Sequence, residues 1–271
     1  MNQAPLKIVQ REEGLWQVKV PLPFPLLWVN SYVAADRGGA VDIVDPGIRT
    51  NDALARWEEA ARIIGFRWSD VRSIILTHHH PDHYGLAGWM QSMTGAPVRM
   101  SEKAREQADR LWGEARREET AAEQLAMFAA NGLPEASLPA MREHLESFVP
   151  LTSPAPHPDQ IAAISIGRWT EDAVPAASGG ETIVIGRRTY AAVHTPGHAE
   201  GHISFWDAES GVIFCGDHVL PGITPNVSLL PFGDEDPLSS YLDSLEFSSR
   251  LPARTAYPGH REPFSHYAGR A

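Results

Sequence analysis

One short stretch of the chain concentrates residues of the kinds that bind metal ions. Residues 77–85 read Thr-His-His-His-Pro-Asp-His-Tyr-Gly, so four of the twelve histidines fall within six positions. Residues 73–77, Ser-Ile-Ile-Leu-Thr, lead into the cluster and are typical of a short buried strand. A histidine-rich surface loop would have no reason to follow such a strand. Histidine nitrogens together with a carboxylate suit zinc, and also iron or manganese.

The spacing within this stretch predicts two metal positions. In an extended chain the side chains of His78 and His80 project to the same side, so one ion could take both. Asp82 and His83 would lie on the turn that follows and point towards a second ion. His79 would point to the opposite side, so we leave it out of the predicted ligand set.

Three further candidate ligands occur later in the chain. His198 ends the segment His-Thr-Pro-Gly-His, Asp217 lies in Phe-Cys-Gly-Asp-His, and His260 ends Tyr-Pro-Gly-His. Each follows an apolar run, as the first cluster does, which predicts that all of them lie at strand ends. The predicted metal ligands are His78, His80, Asp82, His83, His198, Asp217 and His260.

Alternating strands and helices are predicted to position these ligands. The apolar and periodic segments predict strands at 14–20, 30–35, 40–44, 73–77, 98–100, 182–185, 189–194, 202–206, 212–215 and 255–257. The same patterns predict helices at 52–64, 84–93, 101–131, 138–148 and 236–251. Residues 150–180 are rich in proline, alanine and serine and are predicted to form an ordered surface loop. Such alternation is typical of the α/β class.

Composition and charge restrict the classes of function. The 271 residues, 43% of them hydrophobic, can bury a sizeable core. The net charge of −11 argues against nucleic acid as the substrate, because that would require a basic groove, and we expect a small molecule instead. A single cysteine, Cys215, fits a reducing compartment. The apolar segment 21–29 is too short and too rich in proline to span a membrane, so we expect no membrane contact and a cytoplasmic location.

The ligand pattern resembles that of the metallo-β-lactamase-fold hydrolases over nearly the whole chain. Residues 78–83 match the family motif His-x-His-x-Asp-His, and the later ligands match His198, Asp217 and His260. The early strand end Ile-Val-Asp-Pro-Gly is similar to the family's Asp-x-Gly, with Asp45 as the aspartate. The resemblance implies an α/β fold that is a four-layer αβ/βα sandwich, with the metals at one edge between two sheets.

The resemblance also implies which residues hold each ion. One metal would be held by His78, His80 and His198, the other by Asp82, His83 and His260, with Asp217 bridging the two. Two Zn²⁺ ions are expected, with iron or manganese as alternatives. A hydroxide shared by the two metals would attack a carbonyl carbon while one metal polarises the carbonyl oxygen. We expect Asp82 to be catalytic as well as a ligand.

Within the family, the segment His-Thr-Pro-Gly-His-x-x-Gly-His at 194–202 is similar to the hydroxyacylglutathione hydrolases, or glyoxalases II. Hydrolysis of a thioester or ester is therefore the leading expectation. Eleven residues follow His260, so we expect the C-terminal helical domain that binds glutathione in those enzymes to be absent. Ring-opening hydrolysis of a lactone or β-lactam is the alternative. An iron-dependent oxidoreductase of the same fold ranks lower, since His80 stands where flavodiiron relatives carry glutamate.

Residues 1–271 are expected to form a single domain with a helical insertion at about 101–170. The insertion would either pack on the domain as a helical hairpin or dimer surface, or cover the pocket as a lid. A homodimer is thus one of the expected arrangements. The apolar positions of the insertion would suit an acyl or aromatic part of a substrate.

Several residues beside the predicted ligands are secondary candidates. His202 and His194 could orient a ligand, and His218 could contact the substrate. Asn226 lies in a loop that could line the pocket. Tyr84 is expected to be a packed aromatic residue.

Overall fold

The computed structural model describes residues 7–152, 154–166 and 181–271. Its first sheet contains β1 (Ile8–Glu12), β2 (Leu15–Pro21), β3 (Trp28–Ala35), β4 (Val41–Val44), β5 (Val71–Ile75), β6 (Val98–Ser101) and β7 (Ile161–Ile164), in that order across the sheet. Neighbouring strands are antiparallel from β1 to β4 and parallel from β4 to β7. Because β4 and β5 are parallel neighbours, the loops that follow them start at the same edge of the sheet.

The second sheet contains β8 (Thr182–Ile185), β9 (Arg188–His194), β10 (Ile203–Asp207), β11 (Val212–Gly216), β12 (Thr255–Pro258) and β13 (Phe264–Ser265). The strand order is β13-β12-β11-β10-β9-β8. The pair β11 and β12 is parallel and the other pairs are antiparallel. Asp217 follows β11 and His260 follows β12, so the parallel pair brings both residues to one edge.

The helices are α1 (Asn51–Ile64), α2 (Pro81–Tyr84), α3 (Ala87–Thr94), α4 (Glu102–Trp112), α5 (Arg117–Ala130), α6 (Leu138–Glu146), α7 (Pro237–Ser248) and α8 (Tyr267–Arg270). Local sequence sets the ends of α1, since the Thr50 hydroxyl accepts from the Ala53 N–H and Gly65 takes a φ of 87° at the other end. Across the three described ranges, no helix is both long and apolar enough to cross a membrane.

Three clusters of buried side chains define the layers. Between the sheets, the rings of Tyr32 and Phe214 lie 5.2 Å apart at the centroids. Trp57 of α1 is fully buried against the outer face of the first sheet. Leu245 of α7 packs with Trp206 on the outer face of the second sheet. The order of layers is therefore helix, sheet, sheet, helix, and the predicted four-layer sandwich is confirmed.

Two helix predictions were wrong in detail. The helix expected over 101–131 is interrupted at Gly113, whose backbone is extended with a ψ of 137°. A Cβ at that position would lie 2.1 Å from the carbonyl oxygen of Asp109, so the chain leaves the helix where glycine allows it. The helix expected over 84–93 is divided between α2 and α3.

The loop expected over 150–180 contains a strand. The segment Ile161–Ile164 pairs in parallel with β6 and forms the edge of the first sheet. Four residues give too short a pattern to reveal a strand, and the long-range ladder decides its conformation. Residues 153 and 167–180 of the predicted loop lie outside the described residues. The single-domain interpretation stays a prediction.

Candidate metal centre

Three histidine nitrogens converge at the edge between the sheets. His78 and His80 lie in the loop between β5 and α2, and His198 lies in the loop after β9. His78 Nε2 is 3.1 Å from His80 Nδ1, which is 2.9 Å from His198 Nε2. Tetrahedral ligands about 2.0–2.1 Å from a zinc ion lie a little over ~3 Å from one another. The separations therefore suit one shared cation.

A second group of three ligand atoms lies beside the first. Asp82 and His83 are on α2, which begins at Pro81, and His260 follows β12. His260 Nε2 is 3.2 Å from Asp82 Oδ2, and His83 Nε2 is 3.9 Å from the same oxygen. These atoms form a second group compatible with a metal ion.

Asp217 lies between the two groups. Its Oδ1 is 3.4 Å from His83 Nε2, and its Oδ2 is 3.2 Å from His260 Nε2 and 3.6 Å from His198 Nε2. One carboxylate thus reaches histidines of both groups, as a bridging ligand must.

Gly259 provides the space that this carboxylate occupies. A Cβ built on Gly259 would lie 2.1 Å from Asp217 Oδ1 and 2.6 Å from His83 Cε1. Any side chain at position 259 would therefore displace both groups. The glycine before His260 is therefore explained by the lack of space for a side chain at position 259.

Backbone carbonyls fix the tautomers of two candidate ligands. His198 Nδ1 lies 2.6 Å from the carbonyl oxygen of Asn226, and His260 Nδ1 lies 3.1 Å from that of Trp28. A carbonyl oxygen only accepts, so each Nδ1 carries the proton and donates it. When the ring carries only this one proton, as a metal ligand must, Nε2 has a free lone pair that faces the site.

Asp45 orients two further candidate ligands through hydrogen bonds on the side away from the site. Its Oδ2 accepts from the Thr77 hydroxyl at 2.7 Å and from His83 Nδ1 at 2.9 Å, while its Oδ1 accepts from the Thr77 N–H at 2.8 Å. Since the Thr77 hydroxyl donates to Asp45, it accepts from His78 Nδ1, which is 2.9 Å away. Both histidines therefore present Nε2 to the site.

His202 supports the backbone of Asp217. Its Nε2 accepts from the Asp217 N–H at 3.1 Å, and its Nδ1 is 2.8 Å from the hydroxyl of Thr195. The ring is fully buried, so it cannot exchange these bonds for water. The expectation that His202 lies behind a ligand agrees with this geometry.

Burial and charge divide the candidate histidines into two kinds. Burial, reinforced by neighbouring imidazoles, lowers the pKa of His78 and His80 well below the usual value, which favours neutral rings at pH 7. Burial would also lower the pKa of His83, but Asp217 and other carboxylates outweigh it and raise the pKa well above the usual value. The same balance raises the pKa of His260 to about 10.

This donor set fits a pair of divalent cations. His83 Nε2 and Asp217 Oδ1 are buried and lie 3.4 Å apart, and neither atom makes a well-formed hydrogen bond with any described residue. A buried polar atom without a partner costs about 1–3 kcal/mol, a cost that a bound cation removes. Imidazole nitrogens with two carboxylates suit zinc, and also iron or manganese.

A profile of the Metallo-beta-lactamase superfamily matches residues 26–260, which is most of the chain. The chain belongs to this superfamily. Within the metallo-β-lactamase superfamily, it is 26% identical over 260 residues to the probable metallo-hydrolase YqjP of Bacillus subtilis, covering 93% of this chain and 73% of that protein. It is 34% identical over 82 residues to a hydroxyacylglutathione hydrolase of Rhodospirillum rubrum, covering 30% of each protein.

Solved structures agree with this assignment. A metallo-beta-lactamase family protein of Thermus thermophilus has a TM-score of 0.79 at 32% identity, covering 96% of this chain and 77% of that one. A beta-lactamase domain protein of Burkholderia ambifaria has a TM-score of 0.76 at 25% identity, covering 99% and 75%. The predicted fold and the expected class, a metal-dependent hydrolase of the metallo-β-lactamase superfamily, are confirmed.

The structure brings all seven predicted ligands together, and their individual roles in binding metal stay predictions. His79 belongs to neither group, and it lines a cavity beside His80. His218 turns towards α7, where its Nε2 is 2.8 Å from the Ser248 hydroxyl, so the geometry does not favour contact with substrate. Tyr84 is packed in the core, as predicted.

Other residues of the site were predicted incompletely or missed. Thr77 was treated only as the end of a strand, although Asp45 and Thr77 both follow neighbouring parallel strands. That adjacency is a signal that the sequence contains. The Trp28 carbonyl and Gln107 carry no such signal, because only the folded chain brings them to the site.

Proposed function

We propose that this protein is a dinuclear metal-dependent hydrolase that cleaves a thioester or ester of a small molecule. The observation that supports this most strongly is the position of Asp217, whose two oxygens face histidines of both ligand groups. Ester, thioester and amide hydrolysis all require a nucleophile beside a group that stabilises the oxyanion. A dinuclear centre supplies both.

The assignment of ligands follows the two groups. His78, His80 and His198 would hold one ion, Asp82, His83 and His260 the other, and Asp217 both. When bound, two divalent cations would activate a water molecule near neutral pH and polarise a carbonyl oxygen. We propose zinc as the native metal, with iron or manganese as alternatives.

Asp82 has a further role in this proposal. Its side chain is 19% exposed, whereas the side chain of Asp217 is 7% exposed, so Asp82 is the carboxylate nearer to the open side. We assign Asp82 the role of general base: one of its carboxylate oxygens would accept a proton from the attacking water. Serine and cysteine nucleophiles are not needed, and Cys215 is buried with a pKa that burial raises.

Thioesters are favoured by the loop that carries His198. The segment 194–202 resembles hydroxyacylglutathione hydrolases, and its two outer histidines make hydrogen bonds that stabilise the site: His194 Nε2 donates to the Glu200 carbonyl at 2.8 Å, and His202 Nε2 accepts from the Asp217 N–H. Relatives named hydroxyacylglutathione hydrolase also include GloC of Haemophilus influenzae, 24% identical over 215 residues. Hydroxyacylglutathione is itself a thioester.

Metal content and substrate class should be tested together. Protein purified without chelator or added metal is analysed for elements, and we expect about two zinc ions per chain. The same preparation is then assayed with acyl thioesters, aryl esters, an acyl-homoserine lactone and a chromogenic cephalosporin. Turnover of thioesters or esters well above that of the cyclic substrates supports the proposal. Turnover confined to the lactone or the cephalosporin would replace it with ring opening.

Two variants connect activity to the site. Asp217→Ala should remove both metal and activity, because the bridging carboxylate is lost. The exposed His144→Ala serves as the control and should keep both. Full activity in the Asp217→Ala protein would contradict the proposed mechanism.

A further inference from the structure

A small cavity lies directly beside the first ligand group. Its volume is about 30 Å³, enough for a small polar group but not for a whole substrate. We call it the Gln107 pocket, and its walls include His79, His80, Gln107, His198, Glu200 and Ser228. Since His80 and His198 belong to the ligand group, whatever enters the pocket is next to the metal centre.

Two polar side chains in the wall of the Gln107 pocket are buried without full partners. His79 is 2% exposed, and neither ring nitrogen has a hydrogen-bond partner within the described part of the chain. Gln107 is 6% exposed, and its Oε1 likewise has none there. An unpartnered buried polar atom destabilises the folded chain, so three such atoms on two side chains that line one small pocket indicate a site that a ligand completes.

The orientation of Gln107 is fixed by its other amide atom. Its Nε2 donates to Glu200 Oε2 at 2.9 Å and to the Phe232 carbonyl at 3.2 Å. A flipped amide would place Oε1 against two acceptors, which excludes that arrangement. Gln107 therefore lines the pocket with a buried carbonyl oxygen that has no hydrogen-bond donor among the described residues.

His79 is held in place through its backbone. The Trp112 indole N–H at the end of α4 donates to the His79 carbonyl at 2.9 Å. An imidazole with one proton offers one donor and one acceptor. Together with Gln107, the pocket thus offers two acceptors and one donor. Glu200, which pairs with Lys103 at 2.8 Å, and Asp234 line the same wall, and these two carboxylates against one ammonium group disfavour an anionic occupant.

We propose that the Gln107 pocket binds an uncharged substrate group that both donates and accepts a hydrogen bond, such as a secondary amide. The N–H of that group would donate to Gln107 Oε1, and its carbonyl would accept from His79. This inference deepens the proposed function, on which the word substrate rests. It makes Gln107 and His79 specificity-determining residues, and it gives the α4 helix of the insertion a part in the site.

The test uses two thiols that differ only in one group, an amide N–H in place of an ester oxygen. N-methyl-3-sulfanylpropanamide carries an amide N–H where methyl 3-sulfanylpropanoate carries an ester oxygen. Both can bind a metal through sulfur, whatever reaction the protein catalyses. Calorimetric titration of the zinc-loaded protein gives both dissociation constants, and chromatography after each run confirms that the ester is intact.

We expect the amide to bind at least about five-fold more tightly than the ester, as one neutral hydrogen bond allows. Gln107→Leu should abolish this preference, because it should weaken binding of the amide and leave binding of the ester unchanged. The control is Gln124→Leu, since Gln124 is 8% exposed on α5 and lies outside the pocket, and it should keep the preference. Equal dissociation constants for amide and ester in the unchanged protein would overturn the inference.

A second variant separates binding from packing. Because neither ring nitrogen of His79 has a hydrogen-bond partner among the described residues, His79→Leu should leave the melting temperature unchanged or raise it, while the preference for the amide falls. A lower melting temperature with an unchanged preference would show that His79 only packs.

If the amide preference is present but no thioester or ester is hydrolysed, the proposed function fails and the pocket inference stands. If thioesters are hydrolysed without the preference, only the pocket inference fails.

Discussion

His202 Nε2 accepts a hydrogen bond from the backbone N–H of Asp217 at 3.1 Å. A buried imidazole thereby anchors the carboxylate that faces both ligand groups. Gly216, just before Asp217, has a φ of 46°, and a Cβ there would lie 2.5 Å from the same nitrogen of His202. The close approach of this strand end to His202 therefore sets the position of the proposed bridging ligand.

Substitution of His202 should act on metal binding. His202→Leu leaves the Asp217 N–H buried without an acceptor, so we expect about 10- to 100-fold weaker zinc affinity in competition with a chromogenic chelator. His202→Gln offers an amide oxygen in place of Nε2 and should recover much of the affinity. Equal affinities for the Leu variant and the unchanged protein would show that His202 does not position the ligand.

Asp45→Asn should disturb two ligands at once. One oxygen of Asp45 accepts from both Thr77 and His83, and an amide nitrogen there would face two donors. We expect a loss of stability of about 1–3 kcal/mol together with weaker metal binding, measured by denaturant unfolding and elemental analysis. Asp159→Asn is the matched control, because that side chain is 90% exposed. Normal metal content in Asp45→Asn would contradict the orienting role.

Gly259→Ala tests the steric argument. The added methyl group would lie 2.1 Å from Asp217 Oδ1, so the carboxylate must move. We expect a loss of about 1–3 kcal/mol in the free energy of unfolding and less than one tightly bound ion per chain. Gly269→Ala is the control, since a Cβ there meets nothing within 4 Å among the described residues. Two tightly bound ions in Gly259→Ala would rule out the steric requirement.

Metal loading should release protons. In the metal-free protein, burial would lower the pKa of His260, but Asp217 raises it to about 10, so the ring is protonated at pH 7. The stability contributed by that proton is fully present below about pH 6.5 and is lost as the pH rises through about 10. Zinc must displace the proton, so its affinity should increase from pH 6 to pH 8.

Calorimetry in two buffers of different ionisation enthalpy measures this release. At pH 7 we expect at least one proton per chain in excess of any released by zinc-bound water, and His260→Gln should lower the number. A count that does not change in His260→Gln would show that this histidine is neutral before metal binds.

The sequence was informative wherever a pattern is local. The His-x-His-x-Asp-His spacing places His78 and His80 on one side of an extended loop, and the structure has them there. The apolar runs before Asp217 and His260 predicted strand ends, and the structure has Asp217 directly after β11 and His260 two residues after β12. Family resemblance then supplied the pairing of the two sheets.

The remaining features depend on contacts between distant segments. The strand Ile161–Ile164 is defined by its ladder with β6, and its four residues carry no strong alternation. Gln107 lies on a helix whose charged sequence indicates only a solvated face. The role in substrate binding proposed for Gln107 rests on tertiary contacts, because its amide nitrogen donates to Glu200 and Phe232 from two other loops.

The predicted ligands come from both halves of the chain, which has a consequence for folding kinetics. His78, His80, Asp82 and His83 follow a strand of the first sheet, whereas His198, Asp217 and His260 follow strands of the second. The complete centre exists only after both sheets have formed and docked, so the metal cannot guide early folding. Bound zinc should therefore slow unfolding much more than it speeds refolding, so the metal would contribute mainly to the kinetic stability of the folded protein.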